Sequence, residues 1–111
     1  MRAGVDIMST SSRGKRPSPL SENALRQHIR VALERGYYTE SLHHPERNIS
    51  VEDVIHGIER SDWTLVGNPE WWEQNQTFKY RICTVDIDGD ELTVILAAYP
   101  NEKRIEIITA W

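Results

Sequence analysis

The chain has 111 residues, of which 39% are hydrophobic, and a formal net charge of −4 at pH 7. This length allows one hydrophobic core. The acidic balance excludes a protein held on nucleic acid by its overall charge, because phosphate binding depends on clustered Lys and Arg. A single cysteine, Cys83, excludes an internal disulfide and favours a reducing compartment. No apolar stretch approaches the roughly 18 residues that cross a bilayer, so we expect a cytoplasmic protein with no membrane contact.

The first twenty residues differ in composition from the rest. This segment is rich in Ser, Gly and Pro and contains one basic run, Arg13-Gly-Lys-Arg16. Such a segment cannot bury enough apolar surface to offset its ordering entropy. We therefore expect a disordered tail over residues 1–20 and a single α+β domain over residues 21–111.

Two helices are predicted next. Ser21 is a good N-cap, and apolar residues follow at i, i+4, i+7 and i+8 before Gly36, which predicts a helix from about Glu22 to Arg35. Ser50-Val-Glu-Asp53 matches a capping box and predicts a second helix that ends near Arg60. The segment between them, Tyr37 to Ser41, favours a short strand or an extended linker.

The C-terminal third predicts a β-meander. Thr77 to Val85 alternates and leads into an Asp88-Gly89 turn, Glu91 to Ala98 has apolar residues on both faces, and Arg104 to Trp111 closes the meander. Strict alternation along the last strand places one set of residues on one face (Ile105, Ile107, Thr109) and another set on the other (Glu106, Ile108, Ala110). The predicted fold class is α+β, with two N-terminal helices packed on a C-terminal antiparallel three- to four-stranded β-meander.

No metal-ligand spacing, phosphate loop or nucleophile motif is present, so we expect no cofactor and no metal. What remains are residue types that suit metal-free phosphodiester chemistry, which needs a proton-transfer group, a cation and a hydroxyl or amide donor. The candidates are His43 or His44 for the proton, Arg47 and Arg81 for the charge, and Thr109 or Tyr80 for the hydroxyl.

The order of several short motifs resembles a known family. An arginine-rich helix ends in glycine, Glu46-Arg47-Asn48-Ile49-Ser50 opens a helix through Asp53-Val54, and Phe78-Lys79-Tyr80-Arg81 precedes a terminal Ile108-Thr109-Ala110-Trp111. This order resembles the bacterial DUF4258 family, a domain of unknown function that is grouped by similarity with RelE-like and BrnT-like ribonuclease toxins. The resemblance implies a metal-independent ribonuclease in which His43 transfers a proton, Arg47 and Arg81 bind phosphate, and Thr109 orients the substrate. These four side chains would then converge on one cleft.

The resemblance leaves two alternatives open. Counted without a gap, Thr39 occupies the position of the family histidine; if one helical turn has been deleted, His43 occupies it. The second reading of the function is a non-catalytic protein-interaction module on the same fold. The expected partners are RNA, through a local basic patch, and a small antitoxin-like protein. The adjacent Trp71 and Trp72 suggest a partner surface.

Overall fold

The computed structural model describes residues 16–40, 48–60 and 62–111. Two helices and six strands follow one another in this part of the chain: α1 (Glu22–Arg35), β1 (Tyr38–Glu40), α2 (Val51–Glu59), β2 (Thr64–Leu65), β3 (Glu70–Trp72), β4 (Thr77–Val85), β5 (Glu91–Tyr99) and β6 (Arg104–Ala110). Short 3-10 turns, Glu73–Asn75 and Pro100–Glu102, lead into β4 and β6.

All six strands belong to one mixed sheet with the order β1-β6-β5-β4-β2, and β3 also pairs with β4. β4, β5 and β6 are adjacent antiparallel strands, as the sequence predicts. The prediction of a purely antiparallel sheet of three or four strands is wrong. β1 pairs in parallel with β6, and β2 and β3 pair side by side along β4. The composition of Tyr37 to Ser41 favours the short strand found at β1, but strands of two or three residues are too short for periodicity to predict their pairing.

Both helices begin and end where the sequence predicts. The Ser21 side chain accepts a hydrogen bond from the backbone N–H of Ala24, and Gly36 closes α1 in the left-handed conformation with φ 72°. In α2, Ser50 and Asp53 form both hydrogen bonds of a capping box. The Asp53 carboxylate also accepts from the backbone N–H of Ile87 at 3.3 Å, which ties the start of α2 to the turn between β4 and β5.

The two helices pack on the same face of the sheet, which we call the helix-covered face, and together they form the core. Leu25 and Ile29 of α1 and Val54 and Ile58 of α2 are buried there. The buried strand residues on this face are Tyr80, Ile82, Leu92, Val94, Leu96, Ala98, Ile105, Ile107 and Ala110.

Gly57 sets the closest approach of α2 to the sheet. Its carbonyl accepts a hydrogen bond from the Thr84 hydroxyl at 2.9 Å. A Cβ at position 57 would lie 2.6 Å from Thr84 Cγ2 and 2.9 Å from the Val85 carbonyl oxygen. Only glycine lets the helix backbone sit this close to β4.

A β-bulge interrupts β6. Ile107 pairs with Leu96, but the next pair is Thr109 with Ile95, so Ile108 is the extra residue. Ala110 is consequently buried in the core, and Thr109 lies on the opposite face. The predicted alternation along this strand is therefore wrong beyond Ile107, because the bulge exchanges the two faces.

The expected tail is only partly described, since residues 1–15 lie outside the described residues. Leu20 packs against the core, and its backbone N–H donates to the Tyr80 hydroxyl at 2.9 Å. The extent of the tail and the domain boundary remain predictions. Within residues 16–40, 48–60 and 62–111, neither helix is long and apolar enough to span a membrane.

Candidate nucleic-acid interface

The face of the sheet opposite the helices carries most of the strands' polar side chains. Its members in the three long strands are Thr77, Lys79, Arg81, Cys83 and Val85 of β4, Glu91, Thr93, Ile95, Ala97 and Tyr99 of β5, and Arg104, Glu106 and Thr109 of β6. We call this surface the open face, because no helix in the described part of the chain packs on it.

Two of the predicted site residues lie on the open face in one row. Arg81 pairs with Ile95, and Ile95 pairs with Thr109, so the three residues cross β4, β5 and β6 side by side. The backbones of Arg81 and Thr109 are therefore two strand spacings, or about 10 Å, apart. Arg81 is exposed and Thr109 is half-buried. The bulge at Ile108 brings Thr109 to this face.

The other predicted site residues do not join this row. His43, His44 and Arg47 lie outside the described residues, so their convergence with Arg81 stays a prediction. Thr39, the alternative to His43, lies on β1 in register with Glu106. Tyr80 is buried on the helix-covered face, where its hydroxyl binds the backbone of Leu20.

Cations and aromatic rings are paired on the open face. The Arg81 guanidinium lies 5.6 Å from the centre of the Trp111 ring, and the Arg104 guanidinium lies 3.8 Å from the Tyr99 ring. On β3, the Trp72 ring lies 5.3 Å from the Lys79 ammonium. Each such contact contributes about 0.5–1 kcal/mol where exposed, so the pairs orient side chains more than they stabilise the fold.

A hydrogen-bonded carboxylate lies near the middle of the open face. Tyr99 Oη donates to Glu106 Oε1 at 2.9 Å, and Asn75 Nδ2 donates to Tyr99 Oη at 2.9 Å. Glu106 pairs with Ala97, which pairs with Lys79, so the carboxylate and the ammonium flank a small, fully buried side chain. Longer neighbouring side chains therefore cover Ala97 completely.

The ionisation of two groups on this face is shifted by burial. Burial raises the pKa of the Tyr99 phenol, which keeps it protonated as a donor to Glu106. Burial also raises the pKa of the Cys83 thiol, and a contact with Glu91 acts in the same direction. Cys83 is therefore not an activated nucleophile.

A groove lies beside Lys79 and Arg81 at one edge of the open face. The loop of residues 66–70 forms one wall, and Lys79, Arg81 and Ile95 form the other. Glu70 lies 3.8 Å from the Lys79 ammonium, but the carboxylate is 76% exposed, so this ion pair is weak and easily displaced. The groove offers two cations to an anion that enters from solvent.

Comparisons of the chain with protein-family models, curated proteins and solved structures find no match. In the described residues, no three His, Cys, Asp or Glu side chains come together in a group that could hold a metal ion. The chemistry of the open face is therefore inferred from its own side chains.

Three further residues of the open face (Lys79, Glu106, Tyr99) are missed by sequence reasoning. Lys79 precedes Arg81 by two residues on the same predicted strand face, and this spacing is a signal that could have identified it. Glu106 and Tyr99 have no comparable signal, since their contact depends on the register of β5 and β6. The four tryptophans differ in exposure: Trp63 is buried in the core, Trp71 and Trp72 are half-buried, and Trp111 is 43% exposed.

Proposed function

We propose that the open face binds single-stranded RNA and that the chain is a metal-independent ribonuclease of the toxin type. The observation that carries this proposal is the row Arg81, Ile95 and Thr109, with Trp111 stacked against the Arg81 guanidinium. A strand surface that combines cations with accessible aromatic rings is the usual way to bind single strands without strong sequence preference.

In this proposal the side chains have separate tasks. Lys79 and Arg81 bind phosphate oxygens and stabilise the negative charge that develops on the phosphorane. Trp111, 43% exposed, stacks on a base, and Thr109 offers a hydroxyl to the ribose or phosphate. The family resemblance implies phosphate binding by Arg47 and makes His43 a candidate proton-transfer group, which His43→Ala tests.

The charges of the open face set the strength of binding. Acidic side chains (Glu70, Glu91, Glu106) equal the basic ones (Lys79, Arg81, Arg104) in number on the paired strands of this face. Base stacking must therefore supply most of the affinity, at about 1–3 kcal/mol per base. With two phosphates neutralised, we expect the logarithm of the association constant to fall with the logarithm of salt concentration with a slope of about −1.4.

The test is fluorescence anisotropy with a labelled single-stranded RNA at low salt. Trp111→Ala should weaken binding about 5- to 150-fold, the factor that corresponds to one lost stacking contact. Lys79→Ala combined with Arg81→Ala should weaken binding and reduce the salt slope. Arg30→Ala is the matched control, because Arg30 is exposed on α1, away from the open face, and its loss should change nothing.

Cleavage is followed on gels with the same RNA in the presence of EDTA. We expect the wild-type protein to cut, and Arg81→Ala to cut about 10²-fold more slowly. Binding that responds to Arg30→Ala as strongly as to the open-face substitutions, or the absence of RNA binding, would refute the proposal.

A second candidate function is the protein-interaction module. It is favoured by a groove between the two helices, which three arginines (Arg26, Arg30, Arg60) and two glutamates (Glu34, Glu59) line above Leu33, Ile58 and Trp63. Alternating charges above an apolar floor suit the amphipathic helix of a protein partner. The RNA-binding assay decides between the two functions, since the groove lies on the helix side of the molecule.

A further inference from the structure

We propose that Glu106 is the proton acceptor for RNA cleavage on the open face and that Tyr99 positions it. This inference rests on the proposed function, since it assigns the base of the same reaction. It starts from the hydrogen bond of 2.9 Å between Tyr99 Oη and Glu106 Oε1. One carboxylate oxygen is thereby fixed, and the second oxygen can accept a proton.

The position of Glu106 matches what a base for this reaction requires. Glu106 is separated from Lys79 by one residue, the fully buried Ala97, and from the Arg81 row by one step along the strands. A phosphodiester held by the two cations would lie over Ile95, beside the side chains that cover Ala97. Its ribose would then face β6, where Glu106 and Thr109 lie.

Cationic and hydrogen-bonding groups surround Glu106. Arg104 lies two residues away on the same face of β6, Tyr99 faces Glu106 from β5, and Lys79 lies beyond Ala97 on β4. From β1, the residue in register is Thr39, which does not titrate. A carboxylate held in place beside these groups can act as a general base.

Tyr99 is suited to a positioning role. It is 8% exposed, Asn75 donates to its hydroxyl, and the Arg104 guanidinium covers its ring at 3.8 Å. These two contacts and the burial of the ring fix the phenol. The phenol in turn fixes the carboxylate, which otherwise has the rotational freedom of a glutamate side chain.

The reaction is a transesterification. Glu106 accepts the proton of the ribose 2′-hydroxyl, and the 2′-oxygen forms a bond to the adjacent phosphorus. The bond between phosphorus and the 5′-oxygen breaks, and the 5′-oxygen takes a proton from water. The products are a 2′,3′-cyclic phosphate and a 5′-hydroxyl, and Glu106 returns its proton to solvent. No metal and no redox step is required.

The decisive variant is Glu106→Gln, assayed for both RNA binding and cleavage in EDTA. We expect cleavage to fall about 10²- to 10⁴-fold, the usual contribution of a general base, while the affinity for RNA stays the same or rises as a negative charge is lost. Glu52→Gln is the matched control: it makes the same charge change at an exposed position of α2, away from the open face. Cleavage by this control should equal that of the wild type.

The positioning role has its own readout. Tyr99→Phe removes the hydrogen bond that holds the carboxylate, so kcat should fall with KM little changed. A merely structural role of Tyr99 would leave kcat of the folded variant unchanged. Melting curves of Tyr99→Phe and Glu106→Gln separate a lost fold from lost chemistry.

Three results would overturn the inference. Wild-type cleavage by Glu106→Gln together with loss of cleavage in His43→Ala would assign the base to His43. RNA binding without any cleavage by the wild-type protein would refute a catalytic Glu106 and leave the RNA-binding face intact. Absence of RNA binding would refute the proposed function and this inference together.

Discussion

The helix-covered face and the open face of the sheet belong to the same strands but differ in what their side chains do. Leu96 and Ile95 are neighbours on β5, yet Leu96 is fully buried under the helices and Ile95 is half-buried between Arg81 and Thr109. The helix-covered face consists mainly of aliphatic side chains, whereas the open face carries charged side chains next to aromatic rings. The comparison shows that stability and the proposed chemistry occupy opposite sides of one sheet, so substitutions can separate them.

The largest expected effect comes from truncating the helix-covered face. Leu96→Ala should lower the free energy of unfolding by about 2–5 kcal/mol, because it removes buried methyl groups and leaves a cavity in the central strand. Ile95→Ala, on the other face of the same strand, should lower it by about 1 kcal/mol. Urea denaturation monitored by circular dichroism measures both. Equal losses would show that the open face is covered like the other.

A smaller loss is expected at the contact between α2 and β4. Gly57→Ala places a methyl group 2.6 Å from Thr84 Cγ2 and 2.9 Å from the Val85 carbonyl oxygen. Overpacking costs about 1–3 kcal/mol, whereas the gain in helix propensity is about 1 kcal/mol. Because the backbone carbonyl cannot move away freely, we expect a net loss of about 1–2 kcal/mol in urea denaturation.

The same contact offers a rescue experiment. Thr84→Ser removes Cγ2 and keeps the hydroxyl that donates to the Gly57 carbonyl. Combined with Gly57→Ala, it should recover part of the lost stability, and RNA binding should be unaffected in all three variants. A Gly57→Ala protein that is more stable than the wild type would contradict the close packing of α2 on β4.

The smallest effect appears only at alkaline pH. Burial raises the pKa of Tyr80 above the ordinary value of 10.0, and the hydrogen bond from the Leu20 backbone acts weakly in the opposite direction. The contribution of Tyr80 to the free energy of unfolding is therefore fully present below pH 10 and is lost as pH rises through the folded-state pKa. Over this pH range the folded state holds up to one proton more than the unfolded state. The free energy of unfolding therefore falls by at most about 1.4 kcal/mol per pH unit.

Tyr80→Phe should flatten this alkaline decline in the free energy of unfolding, measured by urea denaturation between about pH 9 and 11. Tyr37, which is 50% exposed, provides the control, and Tyr37→Phe should leave the decline unchanged. Part of the decline should persist in Tyr80→Phe, because burial also raises the pKa of Tyr99 on the open face. An unchanged slope in Tyr80→Phe would contradict its burial.

Much of the helix-covered face could be predicted from the sequence, because its signals are local. The N-cap Ser21, the closing Gly36 and the capping box of Ser50 and Asp53 each act within one turn of helix. Alternation along Thr77 to Val85 likewise needs no distant partner. These predictions agree with the structure in element type and within one or two residues in bounds.

The open face could be predicted only in part. The motif order indicates Arg81 and Thr109 as site residues. However, they share a face only because of the bulge at Ile108, which no residue type in the sequence predicts. The contact between Tyr99 and Glu106 requires a register across two strands and a turn of residues 100–103. The parallel pairing of β1 with β6 joins segments more than sixty residues apart, and local patterns carry no information on such pairs.

The bulge at Ile108 also gives β6 two phases. Up to Ile107, odd-numbered residues point to the helices; from Thr109 onward, even-numbered residues do. The residues of β6 that face the core therefore change from odd-numbered to even-numbered at Ile108. Tolerance to substitution along β6 should change at the same point. Ala110 should accept only small apolar side chains, whereas substitutions of Thr109 and Trp111 should leave the fold intact and affect the proposed RNA binding.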